Sequence, residues 1–432
     1  MLRDVPAGHA PNLGQPKEGY PLARVVFAGI DVSALKCDLV CLDEQGQQLA
    51  PVKSFPNSLE GASAMVEVLD GLAHKFNIQQ LHIGLEATSI YSVHLRQFLL
   101  DSPKLKPYST KVYEINPVMV ASFKKAFGTK RPKTDALDAY VIAERVRFGH
   151  LTPCSRETIV TEPLRQLTRL RLHLVEMVTA EQNRALNLLF LKFSNYHQDK
   201  PFSQTFGKAS LAVLQEFTPD ELIEMPLEEL AEFIQSHGNN KLASPENMAK
   251  ALKQAARRAY RLNPKMLAAC EVALSLTLQN IDHLKRQLKQ LDKVICRELE
   301  AIPQTLTSVK GLGPISAAGI IAEIGDIKRF KDQAALAQYA GLTWTRYQSG
   351  DFDAEERRLT KSGNRYLRYY LVQAANSLRV HNEEYKAYYQ SKYHEVTKHQ
   401  HKRALVLTAR KLVRLVFALL SKGQIYKGTV MK

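Results

Sequence analysis

Nothing in this sequence of 432 residues provides for a disulfide framework. The five cysteines, Cys37, Cys41, Cys154, Cys270 and Cys296, are an odd number and never stand as C-x-x-C, which also speaks against a zinc site and fits a reducing compartment. No window approaches the roughly 18 uninterrupted apolar residues that mark a membrane-spanning helix. The first stretch, MLRDVPAGHAPNLGQPKEGY, has no apolar core of signal-peptide length, so a soluble cytoplasmic protein, nucleoid-associated when acting, is expected. Tandem repeats and low-complexity tracts are missing as well.

Acidic residues are in deficit. Asp and Glu number 43 against 59 Lys and Arg, for a formal charge of +16 and an isoelectric point near 9.5. Such a field favours polyanionic partners, nucleic acid first and acidic membrane surfaces second, although a basic balance also serves plain solubility. The rest is ordinary globular usage, 45% hydrophobic and 24% charged. The length calls for two or three domains.

Residues 1–22, rich in Pro, Gly and polar groups, read as a flexible arm. VVFAGIDVS, CDLVCLDE and QQLAPVKSF then read as a meander of short strands. The helical SLEGASAMVEVLDGLAHKF follows, then the strand LHIGLEA, a helix from Tyr91 to Leu100, the strand KVYEIN and further helix. Strands in mixed directions with helices on both faces give an α/β layout over 23–155, of which the RNase H-like fold is one form. From 156 to 300 the pattern is helical. Ile281, Leu284, Leu288, Leu291 and Ile295 keep the spacing of a coiled-coil seam or of a long helical hairpin. The segment 301–432 opens with VKGLGPISAAGIIAEI, which resembles a helix-hairpin-helix whose G-x-G turn, beside Lys310, offers backbone amides to a phosphate. A mainly helical domain with a basic tail is expected beyond it.

Acids stand in the first domain where solubility does not explain them. Asp31 sits amid the apolar residues of VVFAGIDVS, and Glu86 closes LHIGLEA. In KRPKTDALDAYVIAE, Asp135 and Asp138 are three apart on a helix, so they share a face and repel. Each has an ordinary explanation: a helix cap for Asp135, a first-turn acid for Asp138, an arginine partner for Glu86, a turn for Asp31. Four such acids in the order of an RNase H-like sheet call instead for a shared counter-charge. A pair of Mg2+ ions would supply it, since magnesium takes hard oxygen ligands and two-metal sites carry out phosphoryl chemistry. Lys124, Lys125, Lys130, Arg131 and Lys133 would hold a nucleic-acid backbone beside that site.

GIDVS with Asp31, GLEATSIY with Glu86 and KTDALDA with Asp135 and Asp138 resemble the DEDD, RuvC-like domain of the bacterial insertion-sequence transposases described as bridge-RNA-guided recombinases. GLGPISAAGIIAEIGD, YAGLTWTRYQSG and RLTKSGNRYLRYYL resemble the C-terminal transposase domain of the same family. The likeness runs from about residue 24 to about 380, and the chain departs from it by its N-terminal arm and a helical insertion around 195–265. The resemblance implies a Mg2+-binding tetrad and a serine nucleophile that forms a phosphoserine link to DNA. It also implies donor and target DNA, a structured guide RNA, and a homo-oligomer, dimer or tetramer. The nucleophile carries over to Ser349 in RYQSGD. Its rival, Ser362 in TKSGN, lies among Arg357, Arg358, Lys361, Arg365 and Arg368, which are suited to gripping phosphate. Competing readings are a RuvC-like nuclease or Holliday junction resolvase that uses water, an actin-like ATPase suggested by GIDVSALKCDLV but lacking a convincing second phosphate loop, and a non-enzymatic scaffold.

Overall fold

The computed structural model describes residues 25–86, 90–126, 135–155, 160–240, 242–344, 348–349, 352–353 and 359–428. The chain divides into two compact units that meet between Val160 and Thr161.

In the first unit, β1 (Val25–Val32), β2 (Lys36–Leu42) and β3 (Lys53–Pro56) form an antiparallel meander, and β4 (Gln80–Glu86) and β5 (Lys111–Ile115) run parallel to β1. The sheet order is β3-β2-β1-β4-β5, so the expected mixed sheet is present. Alternation sorts the β1 side chains between two layers. Val26, Ala28, Ile30 and Val32 join the core made with α1 (Leu59–Lys75) and α2 (Tyr91–Asp101). Phe27 and Gly29 face α4 (Asp135–Arg147), which follows α3 (Pro117–Ala126).

The helix α4 lies directly on the strands because the sequence removes side chains there. A Cβ on Gly29 would fall within the backbone of Ala139 and Ala143, and one on Gly84 would collide with the Val146 side chain. Gly29→Ala is therefore expected to cost about 3 kcal/mol of stability, since α4 must lift off its sheet. Gly71, inside α1 with open space around it, is the control. Gly71→Ala should gain about 0.5–1 kcal/mol from its helix propensity. Urea midpoints of the two variants against wild type check both signs.

The second unit begins with α5 (Glu162–Lys192), which pairs antiparallel with α6 (Pro264–Glu300), a helix of 37 residues. Cys270 lies against Leu188 O near one end, and Arg171 pairs with Asp292 at 2.5 Å near the other. The spacing expected of a seam is real, but its partner is α5 of the same chain. Ile281 packs with Ala185, Leu284 with Leu174 and Val178, and Ile295 enters the C-terminal core. Short helices between 196 and 258 enclose a separate small core.

Beyond α6 come α7 (Pro314–Ile324), α8 (Gln333–Tyr339), the strand pair β6 (Gln348–Ser349) and β7 (Phe352–Asp353), and three helices, α9 (Arg365–His381), α10 (Glu383–His394) and α11 (Gln400–Lys422). Of the two short helices expected around the G-x-G turn only the second forms. Leu306–Ser308 is a single 3-10 turn, and Gly311, at φ +95°, turns the chain into α7. The cause is burial: Ala317 through Ile324 are all enclosed, so α7 is a central core helix. Gly319 leaves room for the Tyr370 ring, whose hydroxyl donates to Thr168 O at 2.6 Å. No helix among the described residues is long and apolar enough to cross a membrane.

Candidate active site

The acids of the first unit are gathered by strand register. The last registered pair of β1 and β4 is Ile30 with Leu85, so Asp31 and Glu86 are the next residues on neighbouring parallel strands. Asp31 shares the face of Gly29, and Glu86 that of Gly84, and both glycines lie under α4. The direction of α4 completes the arrangement. Its C-terminal Arg147 donates to Glu44 O, beyond the end of β2 that pairs with the start of β1. The opposite end of α4, with Asp135 and Asp138, therefore points to where Asp31 and Glu86 stand. Asp31, Glu86 and Asp138 are each half-buried, and the side chain of Asp135 lies outside the described residues.

Asp138 accepts a charged hydrogen bond from Lys124 of α3, and the two side chains are 15% and 23% exposed. Lys124, expected at a nucleic-acid backbone, thus has its charge engaged at the acid cluster. Lys125 is exposed. Lys130, Arg131 and Lys133 fall outside the described residues. Among the described residues no group of three or more His, Cys, Asp and Glu side chains is arranged to hold a metal ion. What fits magnesium is the chemistry of the donor set, carboxylate oxygens only, delivered by three elements to one end of the sheet.

Register also brings in an acid that the sequence reading missed. Asp38 of β2 is paired directly with Asp31, so the two carboxylates share a face. Asp38 is only 4% exposed, accepts a hydrogen bond from Ser54 Oγ and has Lys36 Nζ at 3.3 Å. Like charges directly opposite in a sheet are unfavourable, and Lys36 offsets part of that cost. The neighbouring Cys37 thiol is pushed up to about 11, by burial first and then by the charges of Asp38 and Asp31.

In the second unit Ser349 is the last residue of β6, paired with Phe352 of β7, so it stands at the tip of a tight hairpin. Trp344 and Leu359, on either side of the segment that carries Ser349 in the sequence, pair in an isolated antiparallel bridge. Arg357 and Arg358 lie outside the described residues, as does the Ser349 side chain.

Ser362 has different surroundings. It is exposed between Lys361 at φ +52° and Gly363 at φ +126°. A Cβ on Gly363 would strike Tyr339 O, and one on Gly341 would crowd Ser362 O. Next to it Asn364 caps α9, accepting from Tyr366 N and Leu367 N at 2.9 and 3.0 Å, and donates to Glu323 Oε2 at 2.7 Å. Glu323, 1% exposed in α7, also takes both arms of Arg169 at 2.7 and 2.8 Å. A lone buried carboxylate would be costly, and this shell of donors neutralises it. Arg368 donates to Ala340 O at 2.9 Å, and burial pulls its guanidinium below the usual range. The T-K-S-G-N segment is thus a packing joint between α8 and α9. Arg365, stacked on Tyr366 at 4.8 Å, Lys361 and Lys310 remain exposed.

Two family models match. DEDD_Tnp_IS110, described as Transposase, covers residues 28–193, and a model described as Transposase IS116/IS110/IS902 family covers residues 303–390. The uncharacterized 44.8 kDa protein of insertion element IS116 from Streptomyces clavuligerus is 27% identical over 68% of this chain and 72% of its own length. The Mini-circle putative transposase for IS117 from Streptomyces coelicolor is 27% identical over 78% of this chain and 80% of its own. Among solved structures, T. thermophilus RuvC in complex with Holliday junction substrate aligns with 30% of this chain and 99% of that chain, at 17% identity and a TM-score of 0.23.

Proposed function

Since the chain belongs to the IS116/IS110/IS902 family of insertion-sequence transposases, we propose that it cuts and rejoins DNA through a serine nucleophile and a carboxylate-held divalent-metal centre. The observation that carries this reading is the register that sets Asp31 and Glu86 side by side under the acid-bearing end of α4.

Asp31, Glu86, Asp135 and Asp138 would hold magnesium. When bound, the metal supplies Lewis-acid stabilisation of charge on the scissile phosphate. The chain's own groups do the rest. Ser349 Oγ attacks phosphorus, a phosphoserine ester forms, and the departing sugar oxygen takes up a proton. A sugar hydroxyl of the second DNA end then attacks that ester and releases the serine. One phosphoester replaces another at each step, so no external energy source is needed. Arg365, Lys361 and Lys310, with Lys125, would grip phosphates, which makes binding steeply salt-dependent. The tight hairpin of Ser349 supports it over Ser362, whose segment is occupied in packing. We further propose that a structured RNA guides target choice and that the active assembly is a homo-oligomer.

The test is a DNA strand bearing the element's end, incubated with the protein and Mg2+ and then run on a denaturing gel. A protein–DNA adduct that forms with Mg2+ and not with EDTA is the expected result. Cleavage without an adduct would mean that water is the nucleophile, as in a RuvC-like nuclease, and would overturn the serine step.

A further inference from the structure

The chain has a single tryptophan, and it lines a cleft. Trp344 and its bridge partner Leu359 line it together with His399, which caps α11, and with Lys402, Arg403, Val406 and Leu407 from the first turns of that helix. The volume is about 790 Å³, which falls in the range of small-molecule sites. Its lining divides by chemistry: an indole and three aliphatic side chains, with two cations and a histidine beside them.

The cationic side continues along α10. Arg403 donates to Glu395 Oε2 at 3.0 Å, while Lys402 is exposed and has no ion-pair partner among the described residues. His401 bonds the Tyr389 hydroxyl at 2.7 Å, and Arg379 lies 5.0 Å from the Tyr389 ring. Lys411 and Lys392 lie 4.8 and 5.6 Å from the ring of Tyr388. Aromatic faces interleaved with cations are what single-stranded nucleic acid uses, since any base can stack and every phosphate needs a positive neighbour.

We propose that this cleft receives one unstacked base of single-stranded DNA, stacked on Trp344, with the adjoining phosphates held by Lys402 and Arg403. The occupant is DNA because the bridged pair Trp344 and Leu359 brackets, in the sequence, the segment that carries Ser349, so a base seated there is taken to belong to the strand being cut. The proposal thus rests on the recombinase reading for its placement, and its test measures binding alone.

The lone tryptophan reports on the site directly. The full chain is titrated with a short oligodeoxythymidylate while Trp emission is followed, and anisotropy of a labelled copy measures binding independently. The expected result is quenching that saturates with the anisotropy, lost with an abasic strand of equal length and weaker with oligouridylate. Trp344→Ala should weaken binding about tenfold and Trp344→Phe much less. Lys402→Glu, a change on an exposed helix position, should weaken it while leaving the melting temperature of the free protein near that of wild type. The proposal is overturned if emission stays constant while anisotropy saturates. It is equally overturned if polyglutamate or oligouridylate quenches as well as DNA, or if neither Trp344→Ala nor Lys402→Glu changes affinity. A chain that joins DNA with an unquenched tryptophan loses only the cleft. A chain that is quenched by DNA but joins nothing loses only the recombinase chemistry.

Discussion

Ser349→Ala is expected to abolish the covalent protein–DNA adduct and to lower strand joining by about 10^4-fold or more, because removing a nucleophile leaves only binding and electrostatics to act. DNA affinity should stay within about twofold of wild type, since one hydroxyl adds little to binding dominated by phosphate contacts. Ser362→Ala should keep the adduct. Its segment is fixed by Asn364, Gly363 and Arg368 through contacts that do not involve the Ser362 hydroxyl. The outcome that reverses the assignment is equally definite: an adduct retained by Ser349→Ala and lost in Ser362→Ala. A Ser349→Cys variant adds a chemical check. A thiolate is intrinsically a strong nucleophile, but a P–S bond is a different product, so an adduct there would show altered stability to base.

Some of this was legible in the residues and some could not have been. β1 and β4 were readable because their apolar runs are short and β-rich, and Asp31 and Glu86 stood out because each interrupts or ends such a run. The shared face of Asp135 and Asp138 follows from helical period alone. Asp38 was hidden, since CDLVCL reads as a strand whether or not its acid faces another acid, and only the pairing of Asp31 with Asp38 reveals the contact. The seam of α6 was visible as a spacing, but spacing does not name the partner, which proved to be α5. The Glu323 network joins residues far apart in sequence, Arg169, Glu323 and Asn364. Only the acid inside AAGIIAEI hinted at it. The lesson is physical: periodicity reports which face is apolar, and register and long-range contact decide what that face meets.

Loss of one carboxylate from the cluster should separate chemistry from folding. Glu86→Gln and Asp31→Asn keep side-chain shape and remove a charge, so each is expected to lower strand joining by about 10^3-fold, the scale of losing one preorganised electrostatic contact to the reacting group. Asp138→Asn is a less clean probe, because it also breaks the bond to Lys124 and so loosens α3 from α4. Thermal melting supplies a readout that needs no activity. If the acids bind Mg2+ in the native state only, a concentration about 100 times the dissociation constant should stabilise wild type by about 2.7 kcal/mol. Glu86→Gln should show much less of that shift. Without Mg2+ Asp31→Asn should melt close to wild type, because the charge it removes faces Asp38 and that repulsion is relieved. A wild-type melting point that ignores Mg2+, together with full strand joining by Glu86→Gln, would refute the metal centre. The acids would then be structural, and the adduct, if it formed, would need another source of charge stabilisation.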